Sequence, residues 1–359
     1  MLFAMPVDSA ERSVFYPSGG INRSAVTHRA VESVFKSGTD KDEEKGDPGL
    51  TFFVVPELKL PGPCVDTLGA TSSQSLLHLG LPSAPAGTLD NVNLRQFINI
   101  RTLNLRSCDL IDTIAEELIC LPHLKTLSLA HNPRLTDLVL EWLPAESLRH
   151  LDLTECVGMR SFAELARLTR LRTLIMHDNV VCDADVRAVS KLSHLTFLTI
   201  GIGKSRFPGA VHVTSAVLID CFNQLTDLEV VWLINLFCTH ETLSAIAQHG
   251  NLRDLRLENV PLGSGMIELL RPLGNSLERL WVSVLGGCTA WESAPAYPHF
   301  RRLTKLQTIC FVFWCDPIGA VLPAGDRPGL LREHVFLGDR HDHIWKHCPP
   351  VNFVNHWNG

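Results

Sequence analysis

The sequence contains no CxxC pair, no uninterrupted apolar run near the roughly 20 residues of a membrane span, and few charges for its length. Each shortage removes a class of protein. Without CxxC, the 11 scattered cysteines fit neither a disulfide framework nor a zinc fold, and they point to a reduced compartment, cytosol or nucleus. Charged residues make up only 19% of the chain and hydrophobic ones 45%, which excludes disorder throughout. The missing apolar run argues against a membrane partner, and the start MLFAMPVDSAER turns polar too early for a secretory signal.

The signatures of catalysis are missing too. There is no GxSxG elbow, no HExxH and no complete dinucleotide fingerprint, so the expectation is a protein that is not an enzyme. GIGKS at 201–205 ends like a phosphate-binding loop, but Leu198 stands where the first glycine is required. The tail offers His341, His343, His347 and Cys348, which are zinc-ligand types without the spacing that fixes a tetrahedral site. Neither metal nor cofactor is therefore assigned. Asn22 in NRS is a sequon that matters only in a secreted chain.

Acids outnumber Lys and Arg 38 to 32, for a net charge of −6, which argues against nucleic acid as a generic partner. Arg12, Arg23 and Arg29 among serines resemble a mitochondrial presequence, but Asp8, Glu11 and Glu32 break its usual lack of acids. Cytoplasm is the expected location, with nucleus and mitochondrion as alternatives.

What the chain has in abundance is a leucine pattern that repeats. Ile100, Leu103, Leu105 and Cys108 are followed by Leu124, Leu127, Leu129 and Asn132, then by Leu148, Leu151, Leu153 and Cys156, then by Leu171, Leu174, Met176 and Asn179. The apolar triplet continues through Leu195, Leu198 and Ile200; Leu225, Leu228 and Val230; Leu252, Leu255 and Leu257; Leu277, Leu280 and Val282; and Leu306, Ile309 and Phe311. With Leu76, Leu79 and Leu81 at the front, there are ten units, each starting 23 to 30 residues after the last.

Alternate residues of a strand point to one face, so Leu103 and Leu105 must be buried together, and neighbouring units stack them into a parallel sheet. Asn132 and Asn179 can satisfy the backbone groups left unpaired where the chain turns away, and Cys108 and Cys156 can do so weakly. Between strands the sequence turns helical, in TIAEELICL with capping-box spacing from Thr113 to Glu116, and in FAELARL, SAVLIDCF and GMIELLRPL.

On these residues the chain resembles leucine-rich-repeat proteins, whose pattern LxxLxLxxN/C matches Ile100 to Cys108 and Leu124 to Asn132 throughout. LDLTEC at 151–156 resembles the intracellular cysteine-containing and ribonuclease-inhibitor-like subclasses. The resemblance implies an α/β fold, a horseshoe-shaped solenoid with an inner parallel sheet, outer helices and a concave binding face. The expected organisation is a disordered or weakly ordered segment 1–49 with a charged linker at 36–49, an N-terminal cap 50–75, the repeat domain 76–316, and a C-terminal cap or tail 317–359.

Residues flanking the inner leucines should face the concavity. Early strands offer Thr102, Asn104, Arg106, Thr126, Ser128 and Ala130, which are small or nearly neutral; later ones offer Asp227, Glu229, Asp254, Arg256, Glu258, Arg279 and Trp281. Trp281 has no core-facing role in this register, and an exposed Trp beside Arg is typical of interface hot spots. Four acids against two arginines point to a protein partner with a basic surface. The expected function is a scaffold or adaptor gripping that partner in the concavity. The alternatives are a substrate-recognition subunit of a ubiquitin ligase, though residues 1–75 carry no F-box helix signature, or a subunit of a mitochondrial or ribonucleoprotein assembly. Oligomeric state is left open.

Overall fold

The computed structural model describes residues 13–14, 52–54, 72–84, 89, 92–202, 213–258, 260, 264–284, 302–313 and 333–337. The chain divides into two compact units, 1–160 and 161–359. The linker at 36–49, Asn22, Lys204, Ser205 and the His-rich tail lie outside the described residues.

The first unit holds β1 (Ser13–Val14), β2 (Phe52–Val54), β3 (His78–Gly80), β4 (Thr102–Asn104), β5 (Thr126–Ser128) and β6 (His150–Asp152), in sequence order and all parallel. Leu79, Leu103, Leu127 and Leu151 face one another across the ladder, as the leucine pattern requires, and all are buried. Parallel pairing also reaches β1 and β2, ahead of the first leucine unit.

At Asn132 the polar position of the repeat behaves as expected, whereas the Asn179 oxygen does not accept from the backbone as that of Asn132 does. The Asn132 side-chain oxygen accepts from the backbone N–H of Cys108 and of Leu110, while its NH2 donates to the carbonyls of Leu105, Leu129 and Ala130. Cys108 and Cys156 manage half of this, their thiols donating to the carbonyls of Leu81 and Leu129 at 3.0 and 3.2 Å. Burial pushes the two thiols up to about 11 and about 12. A second repeating feature escaped the leucine pattern. Two residues after the last apolar position, Ser83, Ser107, His131, Glu155, Asp178 and Asn235 all adopt positive φ, turning the chain out of its strand.

The helical segments are short. The first unit has α1 (Ala115–Leu118) and α2 (Leu138–Glu141) with 3-10 turns at Leu94–Gln96 and Asp112–Ile114. The expected capping box at Thr113 and Glu116 does not form, because Thr113 sits inside the 3-10 turn rather than ahead of a helix. Asp112 instead accepts from the N–H and the hydroxyl of Thr136 in the following repeat, at 2.8 and 2.6 Å. The same clasp recurs between Asp183 and Thr214.

The second unit holds β7 (Thr173–Asn179), β8 (Phe197–Ile202), β9 (Val230–Ile234), β10 (Asp254–Glu258), β11 (Arg279–Val284), β12 (Thr308–Phe313) and β13 (Glu333–Leu337), again parallel and in order. Its helices are α3 (Asp183–Val189), α4 (Ser215–Gln224) and α5 (His240–Ile246), with 3-10 segments at Ala163–Arg167 and Ser264–Asn275, and successive segments pack side by side. A capping box does occur on α3, where Asp185 accepts from the Cys182 N–H at 2.9 Å.

One unit is out of the expected register. Val231 and Leu233, not Leu228 and Val230, pair with Leu198 and Ile200 on one side and with Leu255 and Leu257 on the other. The triplet is therefore Leu228, Val231 and Leu233, and Asn235 falls on the positive-φ position that follows it. Leu225, taken as the first leucine of the strand, caps the end of α4 and is buried there.

Candidate partner-binding face

The three-residue shift redraws the outward face of the second unit. Opposite the buried leucines, β8, β9, β10 and β11 present Phe197, Val230, Asp254 and Arg279 in one row, then Thr199, Trp232, Arg256 and Trp281 in the next. The registers place Asp254, Arg256, Glu258, Arg279 and Trp281 together as expected. They remove Asp227 and Glu229, which precede β9 and flank Leu228.

Trp232, which the slipped register concealed, is central. The Arg256 guanidinium carbon lies 5.1 Å from the centroid of the Trp232 ring and 4.7 Å from that of Trp281, so the cation is held between two indoles on the strands either side of it. An aromatic face attracts a cation electrostatically, more so away from water. Phe197 extends the stack, its ring centroid 5.7 Å from that of Trp232 and tilted by 54°.

Charges close the arrangement. Arg256 donates to the Glu258 carboxylate at 2.6 Å, with both side chains largely covered, which offsets part of the cost of burying the cation. Asp254 accepts from the Trp232 indole N–H at 3.1 Å and from Arg279 at 2.6 Å, so one carboxylate braces three strands. Glu229 lies 4.0 Å from Arg253. The ladder therefore matches two acids with two arginines, and the acid excess that pointed to a basic partner is not present on it.

Exposure also departs from expectation. Trp281 and Arg256 are each only 7% exposed, whereas both were expected to face solvent. Alternation correctly directs them away from the leucines, but bulky neighbours on adjacent strands cover them. Trp232 is half-buried, like Val230, Asp254 and Glu258, and Arg279 has a side chain 52% exposed. Phe237, three residues beyond β9, is exposed as well.

The early strands bear out the neutral face only in part. Thr102, Thr126 and Ser128 are buried, and Ser128 donates to Asp152 at 3.1 Å, a buried carboxylate that also accepts from the Thr154 hydroxyl. Arg106, His131 and Glu155 form a chain at the strand ends, the His131 ring 2.5 Å from Arg106 and 2.8 Å from Glu155. Burial, then the Arg106 charge, holds His131 below its usual range.

Nor does GIGKS need a phosphate to explain its first glycine. A Cβ at Gly201 would lie 2.6 Å from the Cβ and carbonyl oxygen of Ile234 on β9, so the close approach of two strands excludes any side chain. Among the described residues no His, Cys, Asp and Glu group has the arrangement to hold a metal, and no helix is long and apolar enough to cross a membrane.

No protein-family model matches the chain, and no curated protein matches it. Solved structures do. An internalin (inlF) from Listeria monocytogenes aligns over 80% of this chain and 80% of its own, with TM-score 0.50 and 16% sequence identity. An internalin C2 from the same bacterium aligns over 62% of this chain and 91% of its own, at TM-score 0.44 and 19% identity. The leucine-rich-repeat ectodomain of the Arabidopsis receptor kinase HAESA, solved with a peptide hormone, gives TM-score 0.47 and 18% identity, and this chain spans half of its length. The parallel ladder, the stacked leucines and the internalin match together give this chain the leucine-rich-repeat fold.

Proposed function

We propose that the chain is a binding scaffold, not an enzyme, and that it engages a protein partner on the outward face of β8 to β11. The observation that carries this reading is the Phe197, Trp232, Arg256 and Trp281 ladder, four large side chains stacked across adjacent strands on the face opposite the leucine core. Interfaces concentrate their energy in Trp, Tyr and Arg set at such centres. Trp232 and Arg279 make direct contact in this reading, while Arg256 and Trp281 position them. Asp254 and Glu258 hold the two arginines in place, so recognition depends on shape and aromatic stacking more than on net charge.

The test is capture of a partner from lysate on immobilised full chain, followed by affinity measurement with the recovered protein. Trp232→Ala and Arg279→Ala should each weaken binding by more than about 1 kcal/mol. Lys125→Ala, on the exposed surface of the first unit, should leave it unchanged. If Lys125→Ala impairs binding as much as both ladder variants, the partner does not use this face.

A further inference from the structure

The residues displaced by the register shift belong to a different feature. Ahead of β7, β8 and β9 the chain reads Arg170-Leu171-Arg172, His194-Leu195-Thr196 and Asp227-Leu228-Glu229. The three leucines are fully buried, so the flanking side chains are left at the surface. Thr196 N–H donates to the Arg172 carbonyl at 2.9 Å and Glu229 N–H to the Thr196 carbonyl at 2.8 Å, which fixes the three tripeptides side by side. Between them lies a cleft of about 300 Å³ lined by Arg170, Arg172, His194, Thr196 and Asp227. That volume stands at the small end of ligand pockets, enough for one side chain.

The lining carries two guanidiniums and an imidazole beside one carboxylate. Three arginines of this unit are matched, Arg253 with Glu229, Arg256 with Glu258 and Arg279 with Asp254, and Arg170 in the cleft also has a partner. Of the cleft's cationic-type side chains, Arg172 and His194 have no ion pair or hydrogen bond among the described residues. No ion pair joins Asp227 to either of them among the described residues; its carboxylate accepts from the Thr226 hydroxyl at 3.4 Å. A guanidinium presents a planar fork of donors that fits carboxylate and phosphate oxygens.

We propose that this cleft binds the oxyanion of a peptide side chain, a carboxylate or a phosphate ester, and so selects a partner with an acidic residue beside its ladder contact. The inference rests on the partner's being a protein. A nucleic-acid backbone fits poorly, because its successive phosphates would meet the carboxylates of Asp227, in the lining, and of Glu229, next to it along the chain.

The experiment uses the full chain and three fluorescein-labelled glycine heptapeptides whose central residue is phosphoserine, Glu or Ser, read by fluorescence anisotropy. The phosphoserine and Glu peptides should bind with Kd below about 1 mM and the Ser peptide should not. Whichever binds more tightly identifies the source of the oxyanion. Arg172→Ala should weaken binding at least tenfold, Arg172→Lys less, since it keeps the charge without the fork, and Arg101→Ala in the first unit not at all. Thermal melts of the Arg172 variants verify folding. Equal binding of the Ser peptide, indifference to Arg172→Ala, no binding up to about 1 mM, or tighter binding of a thymidine decamer than of either acidic peptide would each overturn the proposal. No natural partner is needed, so failure here leaves the ladder reading standing, and failure of partner capture leaves the peptide result intact.

Discussion

Replacing Asn132 by Ala strips hydrogen bonds from a turn with no water in reach, since Asn132 is fully buried. Its oxygen accepts from the N–H groups of Cys108 and Leu110 at 3.0 and 3.1 Å, and its NH2 reaches the carbonyls of Leu105, Leu129 and Ala130 at 2.9, 2.7 and 3.2 Å. Two carbonyls survive the loss: Ala130 still accepts from the Ser107 N–H, and Leu129 from the Cys156 thiol. The two N–H groups have no substitute among the described residues. A buried donor left unmade costs about 1–3 kcal/mol, so the pair amounts to about 2–6 kcal/mol, a large share of the 5–15 kcal/mol typical of a domain. Asn132→Cys should recover only part, because a thiol can donate to a carbonyl as Cys108 and Cys156 do but accepts poorly from two N–H groups. Urea unfolding followed by far-UV circular dichroism measures the loss. If Asn132→Ala unfolds within about 0.5 kcal/mol of the unmutated chain at the same slope, other groups satisfy those N–H donors and the account of the repeat turn fails.

Trp281→Ala should destabilise by about 3–5 kcal/mol, because the ring is buried against Arg256, and an unchanged thermal midpoint would show that the ladder is loosely packed. Leu127→Ala, in the middle of a regular ladder, should cost about 2–5 kcal/mol, read by the same urea titration. His131 and His249 are both held below the usual histidine range, chiefly by burial. The unfolded chain therefore takes up protons first, and stability present above about pH 6.5 should fall as pH drops through that value. Melts at several pH values test this, and a fall undiminished in the His131→Asn, His249→Phe double variant would refute the assignment. Brief alkylation followed by peptide mapping should label exposed Cys120 while sparing Cys108, Cys156 and Cys221, whose thiols burial pushes up to about 11 or 12.

The sequence alone determined the repeat, because a strand's alternation of faces writes itself directly into residue type. Leu103, Leu127 and Leu151 could be aligned without coordinates, and so could the Asn or Cys that ends each regular unit. It could not decide the register after Leu195. Leu225, Leu228 and Val230 satisfy the pattern, and so do Leu228, Val231 and Leu233, since apolar residues at both spacings arise wherever a helix end runs into a strand. One signal favoured the second reading, which sets Leu228 24 residues before Leu252, the interval of the regular units. Pairing with Leu198 and Leu255 settles it, and pairing is a property of neighbouring strands that no single segment contains. The candidate site divides along the same line. That Arg256 and Trp281 point away from the leucines follows from alternation within one strand. That they are covered, that Trp232 completes their stack, and that Asp227 turns from the ladder to a cleft with Arg172 depend on residues from three or more repeats brought side by side. Tertiary structure decided these points, because burial and charge pairing are set by the nearest atoms in space, which here come from more than 20 residues away along the chain.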